Sequence, residues 1–301
     1  MKTMTLAGGE HAVLALHGLL GNPLEMQYLG RRLQSAGYTV HIPLIPGYGF
    51  AAGSNDSLRT ANFESWYAEV VRHFDDLKRT HTTVSVTGLC IGAVLALRLA
   101  SERGDEIAGV SLLATTLAYD GWSLPWYRFL LPLVYYTPWR RFYAFQETHP
   151  FGVKNPRLQR WFAREMKDKG SSAAGAASLS GEALFQAQRL IKDVRARLPL
   201  VRTPALIVHA QEDDMASTRS ADTVERDISS AIKRKVILHD SYHIITLDNE
   251  KELVADETVA FFDARTQHSF APEEEQTQEE DQEPNLDHHL GCSETTLALA
   301  A

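Results

Sequence analysis

The sequence predicts an α/β domain in which helices flank a mostly parallel central sheet, with a mainly helical segment inserted into it. Over the first 265 residues, short apolar, β-branched runs alternate with amphipathic helical patterns. This alternation is typical of parallel strands joined by helical crossovers. It stops once, between residues 115 and 200, where about 85 residues intervene, far more than in an ordinary helix–strand connection. We therefore expect the inserted segment to be a structure of its own.

The predicted elements follow from hydrophobic periodicity. Strands are predicted at residues 11–16, 39–42, 83–87, 108–113, 205–210 and 235–238. Helices are predicted at residues 23–36, 63–79, 91–102, 218–231 and 251–264, and Asn22, Asn62 and Asn249 stand where helix N-caps are expected. The α/β core accordingly comprises residues 1–114 and 201–265.

The net charge of −8 at pH 7 belongs to the end of the chain. Nine of the 38 acidic residues, and none of the Lys and Arg residues, lie in residues 266–301, so the remainder is nearly neutral. This acidic tail lacks periodicity and is predicted to be disordered. A neutral core has no basic stripe for binding nucleic acid, and we expect no nucleic-acid partner.

The apolar runs and the cysteines indicate the compartment. No run reaches the roughly 18–20 residues that span a bilayer, and residues 1–10 lack the apolar core of a secretory signal. Cys90 and Cys292 lie in unlike surroundings far apart in the chain, which favours a free thiol at Cys90 over a disulfide. We expect a cytoplasmic protein without stable membrane insertion, and predict no metal or other cofactor.

The pentapeptide GLCIG at residues 88–92 follows a predicted strand and precedes a predicted helix. This is the context of a nucleophile elbow, in which glycines two residues before and after the centre permit the sharp turn. The side chain so projected is that of Cys90. A buried core cysteine flanked by glycines is the alternative interpretation of the pentapeptide alone.

The hexapeptide HGLLGN at residues 17–22 follows the first predicted strand. Its backbone amides can turn toward the end of the sheet, and the amides of Leu19 and Ile91 form the predicted oxyanion hole. The positive end of the helix after Cys90 would add to the stabilisation of negative charge. A simple turn also explains a His-Gly pair after a strand.

Acids and a histidine follow the last two predicted strands. Asp213 is the predicted orienting carboxylate, with Asp214 as the alternative, because both lie beyond the carboxyl end of a strand. A salt bridge or a helix N-cap would also explain either acid. His243 precedes the final helix and completes the chain order nucleophile, acid, base. His239 is the weaker candidate for the base.

The chain resembles the bacterial carboxylesterase and monoacylglycerol-lipase group of α/β hydrolases over nearly all of residues 11–265. The matching stretches are HGLLGN, the GLCIG elbow, AQEDDM at residues 210–215 and SYHIITLD at residues 241–248. The resemblance implies an α/β-hydrolase fold and carries the acid and base roles to Asp213 and His243. Two departures stand out: Cys90 replaces the usual serine, and the insertion is longer and more aromatic than the small cap of such esterases.

Together these features predict hydrolysis of a small-molecule carboxylic ester or thioester through a covalent acyl group on Cys90, with His243 as base. The resemblance leaves a second function open, which is acyl transfer to an alcohol or amine. Dienelactone hydrolases of this fold use a cysteine for hydrolysis, whereas polyhydroxyalkanoate synthases use a cysteine in a similar elbow to transfer acyl groups. A ligand-binding pseudo-hydrolase is a further alternative. The sequence leaves the oligomeric state open.

The insertion at residues 115–200 is aromatic in its first part and helical at 181–197. Trp122, Trp126 and Tyr127 are candidates for lining an apolar acyl pocket. Packing in the core of a small helical lid is the alternative, and the two roles are compatible. Residues 170–180, rich in Gly, Ser and Ala, predict either a flexible bend or a close-packed helix.

Overall fold

The computed structural model describes residues 2–48, 60–130, 133, 136–137, 140, 144–146, 149–169, 171–172, 175–176 and 178–266. In chain order the strands are β1 (Met4–Leu6), β2 (His11–Leu16), β3 (Thr39–Ile42), β4 (Thr83–Leu89), β5 (Val110–Leu113), β6 (Ala144–Gln146), β7 (Ser171–Ser172), β8 (Gly175–Ala176), β9 (Ser178–Ser180), β10 (Ala205–Ala210) and β11 (Lys233–Leu238). The α-helices are α1 (Gln27–Ser35), α2 (Phe63–Lys78), α3 (Ile91–Arg103), α4 (Pro156–Lys169), α5 (Gly181–Arg197), α6 (Arg219–Asp227) and α7 (Lys251–Thr266).

A seven-stranded sheet in the order β1-β3-β2-β4-β5-β10-β11 forms the centre. Only β1 runs antiparallel to its neighbour, and the other pairs of this sheet are parallel. The predicted fold class is confirmed, and all six predicted strands are present. The sequence missed β1, because this edge strand has three residues, none of them fully buried, and so lacks a recognisable pattern.

Both faces of the sheet are covered, which explains the continuous apolar strands. Five of the six residues of β2 and all six of β10 are buried, as expected for central parallel strands. On one face Trp66 and Phe74 of α2 pack with the apolar α3. On the other, Leu29 and Leu33 of α1 pack with Phe262 of α7.

Most helices begin and end close to their predicted limits, but the helix predicted at residues 218–231 ends four residues early, at Asp227. The segment predicted at 23–36 starts as a short 3-10 turn, Pro23–Met26, before α1. Asn22 and Asn62 cap helix starts, accepting hydrogen bonds from the amides of Leu24 and Ser65. Asn249 behaves differently from the prediction, since its side-chain oxygen accepts from Asn155 Nδ2 at 2.8 Å.

The inserted segment contains a 3-10 turn, Trp126–Leu130, the helices α4 and α5, and two short antiparallel pairs. Residues 170–180 were expected to form a flexible bend or a close-packed helix; in the described part of this segment β9 instead pairs with β6, and β7 with β8. A pairing to residues 144–146 is non-local, which is why composition did not reveal it. Helix α5 packs on α3 of the core through Leu190 and Val194.

Two further predictions concern the acidic tail and membrane insertion. Of the acidic tail predicted at 266–301, all but Thr266 lies outside them. Among the described residues, no helix is both long and apolar enough to cross a membrane.

Candidate active site

Cys90 lies in the sharp turn between β4 and α3. Its backbone has φ 58° and ψ −118°, a conformation that residues with a β-carbon rarely adopt. A β-carbon on Gly88 would lie 2.3 Å from the Gly92 carbonyl oxygen, and one on Gly92 would lie 2.5 Å from that of His17. Both glycines are therefore required for the turn, which presents the Cys90 side chain at the carboxyl edge of the sheet, partly exposed.

The surroundings of the Cys90 sulfur favour its ionisation. Burial raises the pKa of the thiol, but the nearby His243 imidazole, the Thr116 hydroxyl and the Ile91 amide lower it, and the pKa lies below its ordinary value. Thr116 Oγ1 donates a hydrogen bond to Sγ at 3.4 Å. The thiol therefore ionises more readily than a free cysteine.

His243 and Asp213 form a close pair. His243 Nδ1 lies 2.8 Å and 3.0 Å from the two carboxylate oxygens of Asp213. Burial lowers the pKa of His243, but the Asp213 carboxylate and Cys90 raise it well above its ordinary value. Burial raises the pKa of Asp213, and the His243 imidazole brings it below the usual range. The pair is arranged to hold an imidazolium against a carboxylate.

The other ring nitrogen of His243, Nε2, is buried and makes no well-aligned hydrogen bond to a described residue. Even so, the ring and the Cys90 sulfur are close enough for each to shift the pKa of the other. Loose alignment of this kind is common in catalytic pairs without substrate. Because Asp213 holds Nδ1, Nε2 is the ring nitrogen available to Cys90.

The structure distinguishes the two acids that sequence left open. Asp213 faces the imidazole, and its Oδ1 also accepts from the amides of Met215 and Ala216, both at 2.8 Å. Asp214 accepts from the backbone amide of His243 at 3.2 Å, and burial raises its pKa. Asp213 therefore orients the ring, while Asp214 fixes the backbone beneath it.

A second histidine lies behind Asp213. His209 Nε2 is 2.8 Å from the Ala216 carbonyl oxygen and 3.4 Å from Asp213 Oδ2, and its side chain is fully buried. The weaker candidate for the base, His239, is exposed, and its amide donates to Glu250 Oε1 at 3.2 Å. The sequence did not single out His209, because a histidine within a buried strand resembles an ordinary core residue.

The HGLLGN loop passes beside Cys90. A β-carbon on Gly18 would lie 3.5 Å from the Cys90 β-carbon, and Leu19 packs against the same core cluster as Cys90. The buried carboxylate of Glu25 accepts the Gly18 amide at 2.8 Å, and the Tyr48 hydroxyl donates to the His17 carbonyl at 2.6 Å. These two side chains hold the loop, and neither was singled out from sequence.

The loop that carries His243 is tied to the insertion by the buried Asp248. Its carboxylate accepts the Tyr242 amide at 2.8 Å, the Lys154 amide at 2.6 Å and the Asn155 amide at 2.9 Å. Because one carboxylate accepts amides from both segments, Asp248 holds the His243 loop against the insertion.

The predicted pocket aromatics are well exposed. The exposed fractions of Trp122, Trp126 and Tyr127 are 57%, 80% and 51%. Trp122 Nε1 donates to the Glu212 carbonyl at 2.9 Å, and its ring meets that of Tyr242 edge-on at 5.3 Å. This placement favours a surface role over the core of a lid, and their part in acyl binding stays a prediction.

A cavity of about 350 Å³ opens beside α5 in the insertion. Its lining combines apolar and cationic side chains: Leu117, Tyr136, Phe185, Gln188, Arg189, Ile191, Lys192 and Arg195. Among the described residues, no group of three or more His, Cys, Asp or Glu is placed to hold a metal ion.

The model of the family described as serine aminopeptidase, S33 (Hydrolase_4) matches residues 9–252. The chain belongs to this family. The S33 chain is 27% identical over 263 residues to a carboxylesterase of Bacillus subtilis (strain 168), covering 87% of this chain and 96% of the relative. It is 28% identical over 254 residues to a thermostable monoacylglycerol lipase of Bacillus sp. (strain H-257), covering 84% and 91%.

Solved structures agree on the fold. One from a study of the metagenome-derived lipolytic enzymes LipS and LipT has a TM-score of 0.73 at 23% identity, covering 87% of this chain and 97% of the other. The monoacylglycerol lipase of Paleococcus ferrophilus has a TM-score of 0.71 at 15% identity, covering 87% and 98%. The S33 chain is an α/β-fold hydrolase. Although the family description names a serine enzyme, residue 90 at the elbow is cysteine.

Proposed function

We propose that this S33 hydrolase cleaves small-molecule carboxylic esters or thioesters through an acyl group carried on Cys90. The main support is a strained, ionisable Cys90 near enough to His243 for each to shift the pKa of the other, with the His243 ring held by Asp213 at 2.8 Å. A carboxylesterase and a monoacylglycerol lipase align with most of the chain, and they support the ester class over the peptide class in the family's description.

The first half of the cycle forms the acyl-enzyme. The Cys90 thiolate attacks the carbonyl carbon, a carbon–sulfur bond forms, and the carbonyl π electrons move onto oxygen. The amides of Leu19 and Ile91 are proposed to hold this oxyanion. As the bond to the leaving group breaks, His243 Nε2 gives its proton to the departing alkoxide or thiolate.

The second half releases the acid. Neutral His243 takes a proton from water, the resulting hydroxide equivalent attacks the thioester carbon, and the electron pair of the carbon–sulfur bond returns to Cys90. The Asp213 carboxylate keeps the Nδ1 proton in place and stabilises the imidazolium throughout.

We assign residues 115–200 as a lid and propose that Trp122, Trp126 and Tyr127 contact the acyl group. Their exposure suits an apolar ligand that covers them on binding. A free, ionisable thiol also fits the reducing cytoplasm, where we propose that the enzyme works.

The identity of residue 90 favours a second function, acyl transfer. A thioester keeps more acyl-transfer potential than the oxyester of a serine enzyme, so an alcohol or amine can replace water in the second half of the cycle. The two functions share the same intermediate and differ in the acceptor. Product analysis with and without an added alcohol therefore distinguishes them: hydrolysis yields the free acid, and transfer yields a new ester.

Intact-protein mass spectrometry tests both functions. Incubation with p-nitrophenyl butyrate should add one butyryl group to the chain and release p-nitrophenol. Cys90→Ala should abolish the adduct, whereas Cys292→Ala, the matched control at the other cysteine, should keep it. An unmodified Cys90 during turnover would remove the covalent mechanism, and absence of both turnover and adduct would favour a ligand-binding pseudo-hydrolase.

A further inference from the structure

Thr116 lies three residues after Leu113, the last residue of β5, and its side chain is fully buried. The residue that leads into it, Ala114, has φ 45° and donates its amide to the Val208 carbonyl at 2.8 Å. This left-handed bend directly follows the carboxyl end of β5. As a result, the Thr116 hydroxyl meets the Cys90 sulfur, which arrives from the neighbouring β4.

The hydroxyl has one proton and two acceptors within reach. Thr116 Oγ1 is 3.4 Å from Cys90 Sγ and 3.3 Å from the Ala114 carbonyl oxygen. When the thiol is neutral, the hydroxyl can donate to the carbonyl and leave its oxygen facing the sulfur. When the thiol ionises, rotation about one bond turns the proton onto the thiolate, where the hydrogen bond becomes charge-assisted.

We propose that Thr116 is a catalytic residue that stabilises the negative charge on the Cys90 sulfur. This inference rests on the proposed role of Cys90 as the nucleophile. It adds a donor that none of the sequence motifs indicated, placed at the sulfur itself and separate from the two amides of the oxyanion hole. The carbonyl of Ala114 keeps the hydroxyl partnered while the sulfur is acylated and uncharged.

The contribution should differ between the two halves of the cycle. In the first, a hydrogen bond increases the fraction of thiolate but also makes each thiolate a weaker nucleophile, so the effects oppose each other. In the second, the carbon–sulfur bond breaks, its electron pair returns to sulfur, and the donor stabilises that departing charge. Deacylation should therefore depend on Thr116 more than acylation does.

The pH dependence of Cys90 alkylation by iodoacetamide tests the hydrogen bond without a substrate. A Cys292→Ser background leaves Cys90 as the one thiol of the chain. Thr116→Val, which removes the hydroxyl and keeps the shape, should raise the midpoint by about one pH unit, equivalent to about tenfold less thiolate at low pH. Thr116→Ser should restore the midpoint of the parent.

The adjacent Thr115 supplies a matched control. It is also fully buried, but its hydroxyl makes no hydrogen bond to a described residue. Thr115→Val should therefore leave the alkylation midpoint unchanged. Melting temperatures identify any variant that fails to fold, and Thr116→Ala takes the place of Thr116→Val in that case. An unchanged midpoint in folded Thr116→Val or Thr116→Ala would overturn the proposal.

Acyl-enzyme accumulation separates this inference from the proposed function. With an activated ester, Thr116→Val should lower kcat by about tenfold with a smaller change in kcat/KM, and acylated Cys90 should predominate at steady state. Equal fractions of acyl-enzyme in parent and variant would contradict a role in deacylation. If no variant, including the parent, ever forms an acyl-enzyme, the proposed function fails even where the alkylation midpoint still shifts.

Discussion

The carboxyl edge of the central sheet and the aromatic insertion are built in opposite ways. At the edge, Asp213 accepts two backbone amides besides the His243 ring, and Asp248 accepts amides from both its own loop and the insertion. In the insertion, the side chain of Trp126 is 80% exposed. The groups at the edge are thus held by several hydrogen bonds each, whereas the aromatic rings that we propose as substrate contacts lie mostly exposed.

The largest expected effect is a loss of kcat/KM on substitution of Asp213, compared with its neighbour Asp214. Asp213→Asn should lower kcat/KM by about 10³–10⁴-fold, because the amide favours the wrong tautomer of His243. Asp214→Asn, a matched change one residue away, should lower it by less than about tenfold, since Asp214 contacts the His243 backbone and not its ring. Steady-state kinetics on an activated ester measures both. Equal losses would show that the edge does not discriminate between the two carboxylates.

A pH profile is expected to show an intermediate effect. The pKa of Cys90 is lowered and that of His243 is raised, and each group shifts the other toward a thiolate–imidazolium pair. Activity should rise as pH increases through the thiol pKa and fall as pH increases through that of His243. Since Asp213 raises the His243 pKa, Asp213→Asn should move the alkaline limb of kcat/KM to lower pH. A limb that stays in place would exclude this electrostatic coupling.

The smallest effect on stability is expected in the insertion. Trp126→Ala should change the free energy of unfolding by less than about 0.5 kcal/mol, because the ring is mostly exposed. It should change the ratio of kcat/KM for long and short acyl esters by severalfold if the ring contacts the acyl chain. Trp161→Ala, another exposed tryptophan of the insertion (44% exposed), is the control. A large loss of stability would break the contrast between the two regions.

Local sequence patterns predicted the sharp turn at Cys90 and the order of strands and helices around it. The GLCIG turn was recognised because its glycines are needed within the pentapeptide itself and with the adjacent His17 loop. The order of strands and helices was recognised because each buried strand is apolar along its whole length. By contrast, the choice between Asp213 and Asp214 was open, since both follow the same strand and only the packed His243 loop distinguishes them.

Side chains that act across long sequence separations escaped the sequence analysis. Glu25 resembles an ordinary first-turn acid of a helix, yet it supports the loop at Gly18. Thr116 resembles any residue after a strand, yet it meets the sulfur of Cys90. The position of helix α5 in the insertion did not reveal that the helix also packs on α3 of the core. No local pattern distinguishes these partners.

By itself, the sequence determined the alternation of strands and helices, the sharp turn at Cys90 and the chain order of thiol, acid and histidine. Each of these depends on the chemistry of a few adjacent residues. The tertiary structure decided which acid faces the imidazole, which hydroxyl meets the sulfur and how the insertion joins the core. These contacts arise only when parallel strands, separated by long crossovers, bring their carboxyl ends to one edge.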